Sequence, residues 1–436
     1  MKRILISSLC LSMLLSLAAA QKRSSPSKSP AAPDKLIALK ATGTKRYTDN
    51  EILGASGLQI GQNAAEGDFK EAAQILGNSG MFGDVLYSYT SSGSGVRVEF
   101  QLTDVDQSRL VPAHFENFAW FSNPELSEQL QRRVPLFKGE LPLAGSLPDR
   151  IEEALQTMLT EKQVPGRVDY LRETPQEGGK LIGISYWVES VEIRIRNVEF
   201  PGATPDLLPG LQFTSRRLAG APYRRTSLAT VADVDFLPVC LKAGYLKASF
   251  AKTDARVVSQ KEGEVEVDAI VPVTPGKVYS TSAVEWKGNA AIATSEVAPL
   301  LHLTPGQPAD AVRLTRDLDN VSKLYRSRGY MTVKIKPDAQ FDDENSTVHY
   351  DLNVLEGDLY KMGELEINGL DTQSKARMVD AWTLREGEPY NAEYLKKFLD
   401  DTRQLLPRGV PWAVSVHETP DAKDKTVDVE IRFKQQ

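Results

Sequence analysis

The segment KLYRSRGYMTVKIKPDAQ (Lys323–Gln340) changes its periodicity at a single glycine. Before Gly329 the apolar residues recur at helical spacing, and after it they alternate as they do in a strand. Glycine suits this break because it readily adopts the left-handed conformation in which many helices end. The strand carries two lysines and stops at Pro337, and charges and proline are typical of a sheet edge. The segment therefore predicts a long helix followed directly by an edge strand.

The same order of elements recurs along the chain. A strand, a short helix and a Leu-x-x-Gly-type turn come first, followed by a long helix, the glycine break, a strand, a polar tip and a return strand. This β-α-α-β-β unit occupies about 75 to 85 residues, a period that indicates a repeat architecture. The copies begin near Leu36, His114, Val191, Val278 and Tyr360. We predict an α+β fold, a tandem array of about five such modules, each with two helices on a three-stranded mixed sheet.

The second copy departs most from the pattern. Its glycine is displaced, and FENFAWF (Phe115–Phe121) is predicted to open it. The five modules are predicted to span residues 35–105, 113–190, 191–274, 278–356 and 359–434.

The N-terminus has the features of an export signal. A basic start (Met1 to Arg3) precedes an apolar run (Ile4 to Leu17) and three alanines, which predicts a signal peptide at residues 1–20. A retained membrane anchor is the alternative, although the run is shorter than the roughly 20 residues of a spanning helix. Residues 21–34 are rich in Ser, Pro and Lys and are predicted to be a disordered linker. The protein is expected to be exported, to the periplasm of a bacterium with two membranes.

Composition and cysteine usage narrow the possible classes. A net charge of −6 provides no basic footprint for nucleic acid. Only Cys240 remains after cleavage of the signal peptide, so an internal disulfide is impossible. When Gly244 is aligned with Gly329, Cys240 takes the position of Tyr325, which predicts a buried core residue and an unreactive thiol.

The chain lacks the sequence patterns of the common catalytic and metal centres. Its four histidines are scattered, and there is no HExxH, GxSxG, P-loop or GxGxxG motif. The acidic stretch Asp342–Asn345 lacks the glycine and the terminal glutamate of an EF-hand and is read as a solvated hairpin tip. We predict no enzymatic activity, no cofactor, no metal site and no small-molecule substrate.

The repeat and two of its short motifs resemble a known protein family. The repeat, with Leu-Tyr-x-x-x-Gly-Tyr (Leu324–Tyr330) at the break and Val-x-Glu-Gly (Val354–Gly357) closing the unit, resembles the POTRA domain. POTRA domains are polypeptide-transport-associated modules in front of outer-membrane barrels of the BamA and Omp85 type. Family members often continue into a barrel, whereas this sequence ends at Gln436, directly after the fifth copy. We therefore expect a POTRA array without the barrel, with a fragment of a longer protein as the alternative.

The resemblance implies a role in protein interaction. In this family the strand after the glycine is an outer one that receives partner segments by strand addition. We expect a non-enzymatic periplasmic array, in outer-membrane protein assembly or secretion, that binds extended segments or a barrel-bearing partner by β-augmentation. The expected partners are outer-membrane protein precursors or an Omp85-type barrel protein, with peripheral association with the outer membrane. A structural periplasmic spacer without client binding is the alternative.

The candidate partner-binding residues lie in three predicted edge strands. VLYSYT (Val85–Thr90) is the first choice, because it lacks charge and carries two tyrosines. The candidates are Val85, Tyr87, Ser88 and Tyr89 in the first copy, Thr332 and Lys334 in the fourth, and Val414 and Val416 in the fifth.

Overall fold

Short helices and small mixed sheets alternate along the chain in the computed structural model, which describes residues 34–175, 179–261, 263–407 and 411–435. The predicted α+β class is confirmed, and six small sheets are present among these residues. The predicted signal peptide and the predicted linker up to residue 33 lie outside the described residues. None of the helices described is long and apolar enough to cross a membrane.

The chain divides into two compact units, one of residues up to 112 with 130–154, the other of residues 113–129 with those from 155 onward. The first unit begins with β1 (Asp34–Thr42), α1 (Asp49–Ser56), β2 (Asn63–Ala64), α2 (Glu66–Asn78), β3 (Phe82–Ser92) and β4 (Gly95–Asp104). The sheet order is β2-β1-β4-β3, with β1 parallel and β3 antiparallel to β4. Helix α1 begins at a capping box, in which the Thr48 hydroxyl accepts from the Glu51 amide and the Glu51 side chain accepts in return.

The boundary between the units falls within β5 (Leu110–Phe115), α3 (Asn123–Arg133) and α4 (Leu147–Glu161). In the first unit, the start of β5 pairs with β6 (Glu140–Pro142). In the second, the end of β5 lies parallel to β8 (Gly183–Glu189), which pairs antiparallel with β7 (Arg167–Glu173).

The predicted opening of the second copy is a loop rather than a strand. Strand β5 starts before the predicted boundary at residue 113 and ends at Phe115, the first residue of FENFAWF. The side chain of Asn117 takes both backbone hydrogen bonds of Val188, accepting from its N–H at 2.7 Å and donating to its C=O at 3.0 Å. A side chain thus replaces the next pair of the backbone ladder, and this frees residues 118–122 to leave the sheet.

The next part of the second unit contains β9 (Glu192–Glu199), α5 (Leu208–Ser215), α6 (Arg225–Val231), α7 (Leu237–Lys242), β10 (Ser249–Phe250), β11 (Asp254–Lys261), β12 (Glu264–Ile270) and β13 (Val273–Thr274). The main sheet has the order β11-β12-β9, and β10 pairs with β13. A π-helical turn (Ala232–Phe236) separates α6 from α7. Cys240 is buried as predicted, and burial raises the pKa of its thiol.

Two β-α-α-β-β segments complete the second unit. The first contains β14 (Ser280–Lys287), α8 (Thr294–Val297), α9 (Ala311–Ser327), β15 (Lys334–Asp342) and β16 (Thr347–Leu355), with the sheet order β14-β16-β15. The second contains β17 (Lys361–Asn368), α10 (Thr372–Ala381), α11 (Tyr394–Thr402), β18 (Trp412–Asp421) and β19 (Thr426–Gln435), with the order β17-β19-β18. Strand β16 is parallel to β14 and antiparallel to β15. In the same way, β19 is parallel to β17 and antiparallel to β18.

Two joints in the second unit share one geometry. The amide of Tyr279 donates to the carbonyl of Gly244 at 2.8 Å, and the amide of Tyr360 donates to the carbonyl of Gly329 at 2.8 Å. Both glycines have a positive φ, 89° and 95°, and both tyrosines are buried. The glycine that ends one helix therefore also anchors the segment that follows.

The sheet of β9, β11 and β12 has a buried carboxylate on the face away from its helices. Asp268 accepts from Arg196 Nε at 2.9 Å and Nη2 at 2.6 Å, and from Arg256 at 3.2 Å. Hydrogen bonding to Arg196, reinforced by Arg256, lowers the pKa of Asp268. A depressed folded-state pKa adds stability above the unfolded value of about 3.9, and this stability is lost as the pH falls through the folded value.

We expect Asp268→Asn to destabilise the second unit at pH 7 by about 1–3 kcal/mol, because two arginines lose their carboxylate. The difference from wild type should be smaller near pH 3, which lies below the unfolded-state value of about 3.9 and closer to the lowered folded-state pKa of Asp268. Urea unfolding at both pH values measures this effect, with the exposed Asp338→Asn as control. A difference that did not change with pH would contradict the linkage.

Candidate functional site

Three strands that follow a long helix lie at sheet edges. Strands β3, β15 and β18 each stand last in their sheet order, and each pairs with one return strand only. Among the described residues no strand pairs with their outer sides. Every second residue of such a strand directs its N–H and C=O groups away from the sheet, where another strand can bind.

Strand β3 has 11 residues, the longest of these edges, and contains neither lysine, arginine nor proline. Val85, Tyr87 and Tyr89 alternate along the face that looks toward α2 and the core. Tyr87 lies over Phe100, with ring centroids 6.3 Å apart. The half-buried aromatic face therefore continues the core up to the open edge.

Tyr89 links the edge to the helix beneath it. Its ring lies 5.2 Å from that of Phe69 in α2, and its hydroxyl donates to Glu66 at 3.1 Å. This hydrogen bond raises the pKa of Tyr89. Tyr89 is nevertheless 37% exposed, so part of the residue is available to a neighbouring chain.

The opposite face of β3 carries Leu86, Ser88 and Thr90, all exposed. Leu86 is 54% exposed and was not among the predicted contact residues, although it lies within VLYSYT. Alternation along the strand was the signal that could have found it, because Leu86 is the large apolar residue on that face.

The edge at β15 is more guarded. Lys334 is its first residue and is exposed, whereas Thr332 lies in the turn before the strand, against Gly357. The strand does not stop at Pro337 as predicted, since it continues to Asp342 with Pro337 opposite Leu352. An edge strand tolerates proline, because the missing N–H then faces solvent.

The edge at β18 is intermediate in character. Val414 is 41% exposed and Val416 is half-buried. Val414 borders a shallow groove of about 490 Å³. The groove is lined by Asn368, Gly369, Ala413, Val414, Ser415, Arg432, Phe433 and Lys434.

The chain itself covers the two ends of the edge at β11. The loop that follows β5 reaches this strand. The amide of Asn123 donates to Asp254 at 3.0 Å, its side chain donates to the Thr253 carbonyl at 2.7 Å, and Trp120 Nε1 donates to Gln260 at 2.9 Å. Sequence reasoning missed this contact, because it joins residues more than 120 positions apart.

A buried arginine holds the covering loop. The Arg225 guanidinium donates to the carbonyls of Phe118 at 3.2 Å and Phe121 at 2.6 Å, and to Asp254 at 3.1 Å. The neighbouring Thr226 hydroxyl donates to the buried Glu116 carboxylate at 2.7 Å. The loop from 116 to 123 is therefore pinned at both of its ends.

One group of potential metal ligands is present among the described residues. The ligand atoms of Glu285, His349 and Asp351 lie within 4.8 Å of one another on the outer face of the β14-β16-β15 sheet. Lys287 donates to Asp351 at 2.6 Å and Gln340 donates to it at 2.9 Å. The Lys287 ammonium group thus already neutralises the Asp351 carboxylate.

The comparisons with known proteins agree with the resemblance seen in the sequence. Residues 279–357 match the POTRA family model, described as "Surface antigen variable number repeat". The matched segment spans β14 to β16 with both helices, so the predicted POTRA resemblance is confirmed.

Several solved structures are similar to this chain. POTRA3-5 of BamA from Haemophilus influenzae is 20% identical, covers 56% of this chain and 96% of its own, and has a TM-score of 0.43. The N-terminal domain of Omp85 from Thermosynechococcus elongatus is 19% identical, with coverages of 56% and 98% and a TM-score of 0.25. POTRA1-3 of the periplasmic domain of Omp85 from Anabaena is 16% identical, with coverages of 56% and 95% and a TM-score of 0.26.

Proposed function

We propose that this chain is an exported, non-enzymatic array of about five POTRA-like modules that binds extended polypeptide segments at the open edge of β3. The observation that carries the proposal is the combination found at this strand. The free edge of β3 is long and contains no proline, lysine or arginine that would discourage pairing. The face of the strand that looks toward the core carries aromatic residues that pack on α2. An added strand would extend the sheet and place alternate side chains against Tyr89 and its neighbours.

The setting of this activity follows from the family resemblance. The POTRA match at residues 279–357 supports a role in outer-membrane protein assembly or secretion in the periplasm. The proposed partners are outer-membrane protein precursors or an Omp85-type barrel protein. Backbone hydrogen bonds would supply the affinity with little sequence specificity, as suits a protein that handles many unfolded clients.

The three open edges should differ in strength. Strand β15 begins with Lys334 and contains Lys336 and Pro337, which discourage pairing. Strand β18 has Val414 beside its groove and contains Pro420, so it should bind more weakly than β3. Thr332, outside the strand, should contribute least among the predicted residues.

A purely structural spacer is the second candidate function, and one observation favours it. A spacer needs its sheet edges covered by neighbouring parts of the chain, and β11 is covered in this way by Trp120 and Asn123. The proposal of client binding therefore rests on β3 differing from β11.

A photoreactive residue placed at Ser88 is expected to capture polypeptide partners in intact cells, because Ser88 lies in the middle of the open edge. Ser415 in β18 should capture fewer partners, and Ser259 in the covered β11 should capture none. Mass spectrometry of the crosslinked products measures the yields and identifies the partners.

Replacing Leu86 by lysine tests whether capture at Ser88 depends on the uncharged edge of β3. Leu86→Lys should reduce capture at Ser88 by about tenfold, because a cation on a strand edge disfavours pairing. Val258→Lys, on the covered strand, should leave it unchanged. Equal yields at Ser88 and Ser259, or self-crosslinks alone, would favour the spacer instead.

A further inference from the structure

The two most exposed large apolar side chains of the described residues are Phe213 and Val234. Phe213, in α5, is 71% exposed, and Val234, in the π-helical turn, is 64% exposed. Single exposed apolar residues are ordinary, whereas neighbouring ones mark interaction sites. Whether Phe213 and Val234 mark an interaction site therefore depends on whether they lie on the same surface.

Both side chains flank one ion pair. Arg217 follows Phe213 by one helical turn, so the two share a face of the helical segment. The Arg217 guanidinium pairs with the carboxylate of Asp235, which directly follows Val234. Helix α5 is also closely packed on α7, since a Cβ at Gly210 would lie 2.7 Å from Val239 Cγ1. Phe213 and Val234 thus lie on either side of this ion pair, and the four side chains form one surface patch on the helical face of the 192–274 segment.

The π-helical turn is what brings Val234 to this surface. Pro238 lies at the start of α7, where it cannot donate a backbone hydrogen bond to the preceding turn. The helix accommodates it with a wider turn over Ala232–Phe236. Such turns are rare and occur frequently at functional sites. Phe236 stays fully buried, so the turn exposes Val234 without loss of the core.

The charges around the patch are balanced. The Arg216 guanidinium lies 5.6 Å from the centre of the Phe213 ring, and Asp233 precedes Val234. Within the part of the chain that the structure describes, neither Arg216 nor Asp233 contacts an oppositely charged side chain. Since Arg217 and Asp235 neutralise each other, one unpaired cation and one unpaired anion border the two apolar side chains.

We propose that this patch binds a second copy of the chain in an isologous dimer. In such a contact the same surface meets itself, so Arg216 of each copy faces Asp233 of the other, and Phe213 and Val234 become buried between the two copies. An acidic partner would match Arg216 and oppose Asp233, and a basic partner would do the reverse. A second copy satisfies both charges at once.

Sedimentation equilibrium of the full exported chain tests the proposal. The patch is small, so we expect a monomer–dimer equilibrium visible only at high protein concentration, about 10 to 500 μM. Arg216→Asp and Asp233→Arg should each weaken dimerisation at least about tenfold, because each places like charges opposite one another twice. The double variant should return to within about threefold of wild type, because both pairs are restored in reverse.

Two further variants separate the patch from general effects. Phe213→Ser should abolish the dimer, whereas Leu171→Ser, an equally exposed apolar residue on β7, should leave it intact. Circular dichroism checks that each variant keeps its secondary structure. A wild type that stays monomeric up to about 1 mM, or a double charge reversal as weak as the single ones, would overturn the proposal.

Discussion

Replacing Arg225 by methionine is expected to lower the free energy of unfolding of the second unit by about 3 to 5 kcal/mol, the usual cost of removing one member of a buried charged network. Methionine keeps most of the volume of the side chain but cannot donate hydrogen bonds. The carbonyls of Phe118 and Phe121 and the carboxylate of Asp254 would lose their shared donor. Asp254 keeps the hydrogen bonds from the amides of Asn123 and Ala255, but the loop loses its buried donor and should detach from β11.

Hydrogen exchange followed by mass spectrometry measures this change where it arises. Peptides covering residues 116–123 and β11 should exchange faster in Arg225→Met, while those covering β3 should not change. Arg224→Met is the matched control, because Arg224 is the preceding residue and is exposed. If both variants exchanged alike, the role assigned to Arg225 would be wrong.

The same variant also tests why one edge is covered and another is open. Detachment of the loop would give access to the outer side of β11, whose edge N–H and C=O groups could then bind another strand. A photoreactive residue at Ser259 should then begin to capture partners, as Ser88 is expected to do in the wild type. Coverage by the loop, rather than the sequence of β11, would be what excludes clients there.

Much of the fold could be predicted from the local periodicity of apolar residues. The change of period at Gly329 gave both α9 and β15, and the turn of residues 330–333 between them follows from the left-handed glycine. The alignment of Cys240 with Tyr325 also holds in detail. The amide after each glycine reaches back to this position, from Tyr245 to the Cys240 carbonyl and from Tyr330 to the Tyr325 carbonyl, both at 3.1 Å.

Features that depend on distant residues were not predictable in this way. FENFAWF has the composition of a strand, but Asn117 and Arg225 draw it into a loop through contacts more than 70 positions away. Met331 alternates with its neighbours as a core residue of its own segment, yet it packs on the core that follows, around Tyr360. A single sequence shows which residues are apolar or charged. It does not show which segments they contact.

The candidate site shows the same division. Alternation placed Val85, Tyr87 and Tyr89 on one strand, and the glycine break placed that strand after a helix. Whether its outer side is open depends on the rest of the chain, as the covered β11 demonstrates. The exposure of Phe213 likewise depends on how α5 crosses its neighbour.

Replacing Gly329 by alanine is expected to destabilise the joint between α9 and β17 by about 3 kcal/mol. A positive φ of 95° alone costs alanine about 1–2 kcal/mol. The new Cβ would also lie 2.7 Å from the Tyr360 carbonyl oxygen, a distance that forces the backbone to shift. The hydrogen bond from the Tyr360 amide to the Gly329 carbonyl should therefore break. Faster exchange of the Tyr360 amide, and of the Tyr390 amide that donates to the Tyr360 carbonyl at 2.9 Å, measures the effect.

Gly306→Ala and Gly387→Ala separate strain from collision in this experiment. Both glycines have a positive φ, 79° and 81°, but a Cβ at either position would meet nothing within 4 Å. Each control should therefore cost only the conformational part, about 1–2 kcal/mol, and leave the Tyr360 amide protected. A loss in Gly329→Ala no greater than in the controls would mean that the glycine serves only to end the helix. A greater loss, confined to the joint, would establish that the residue that ends α9 also holds the next segment in place.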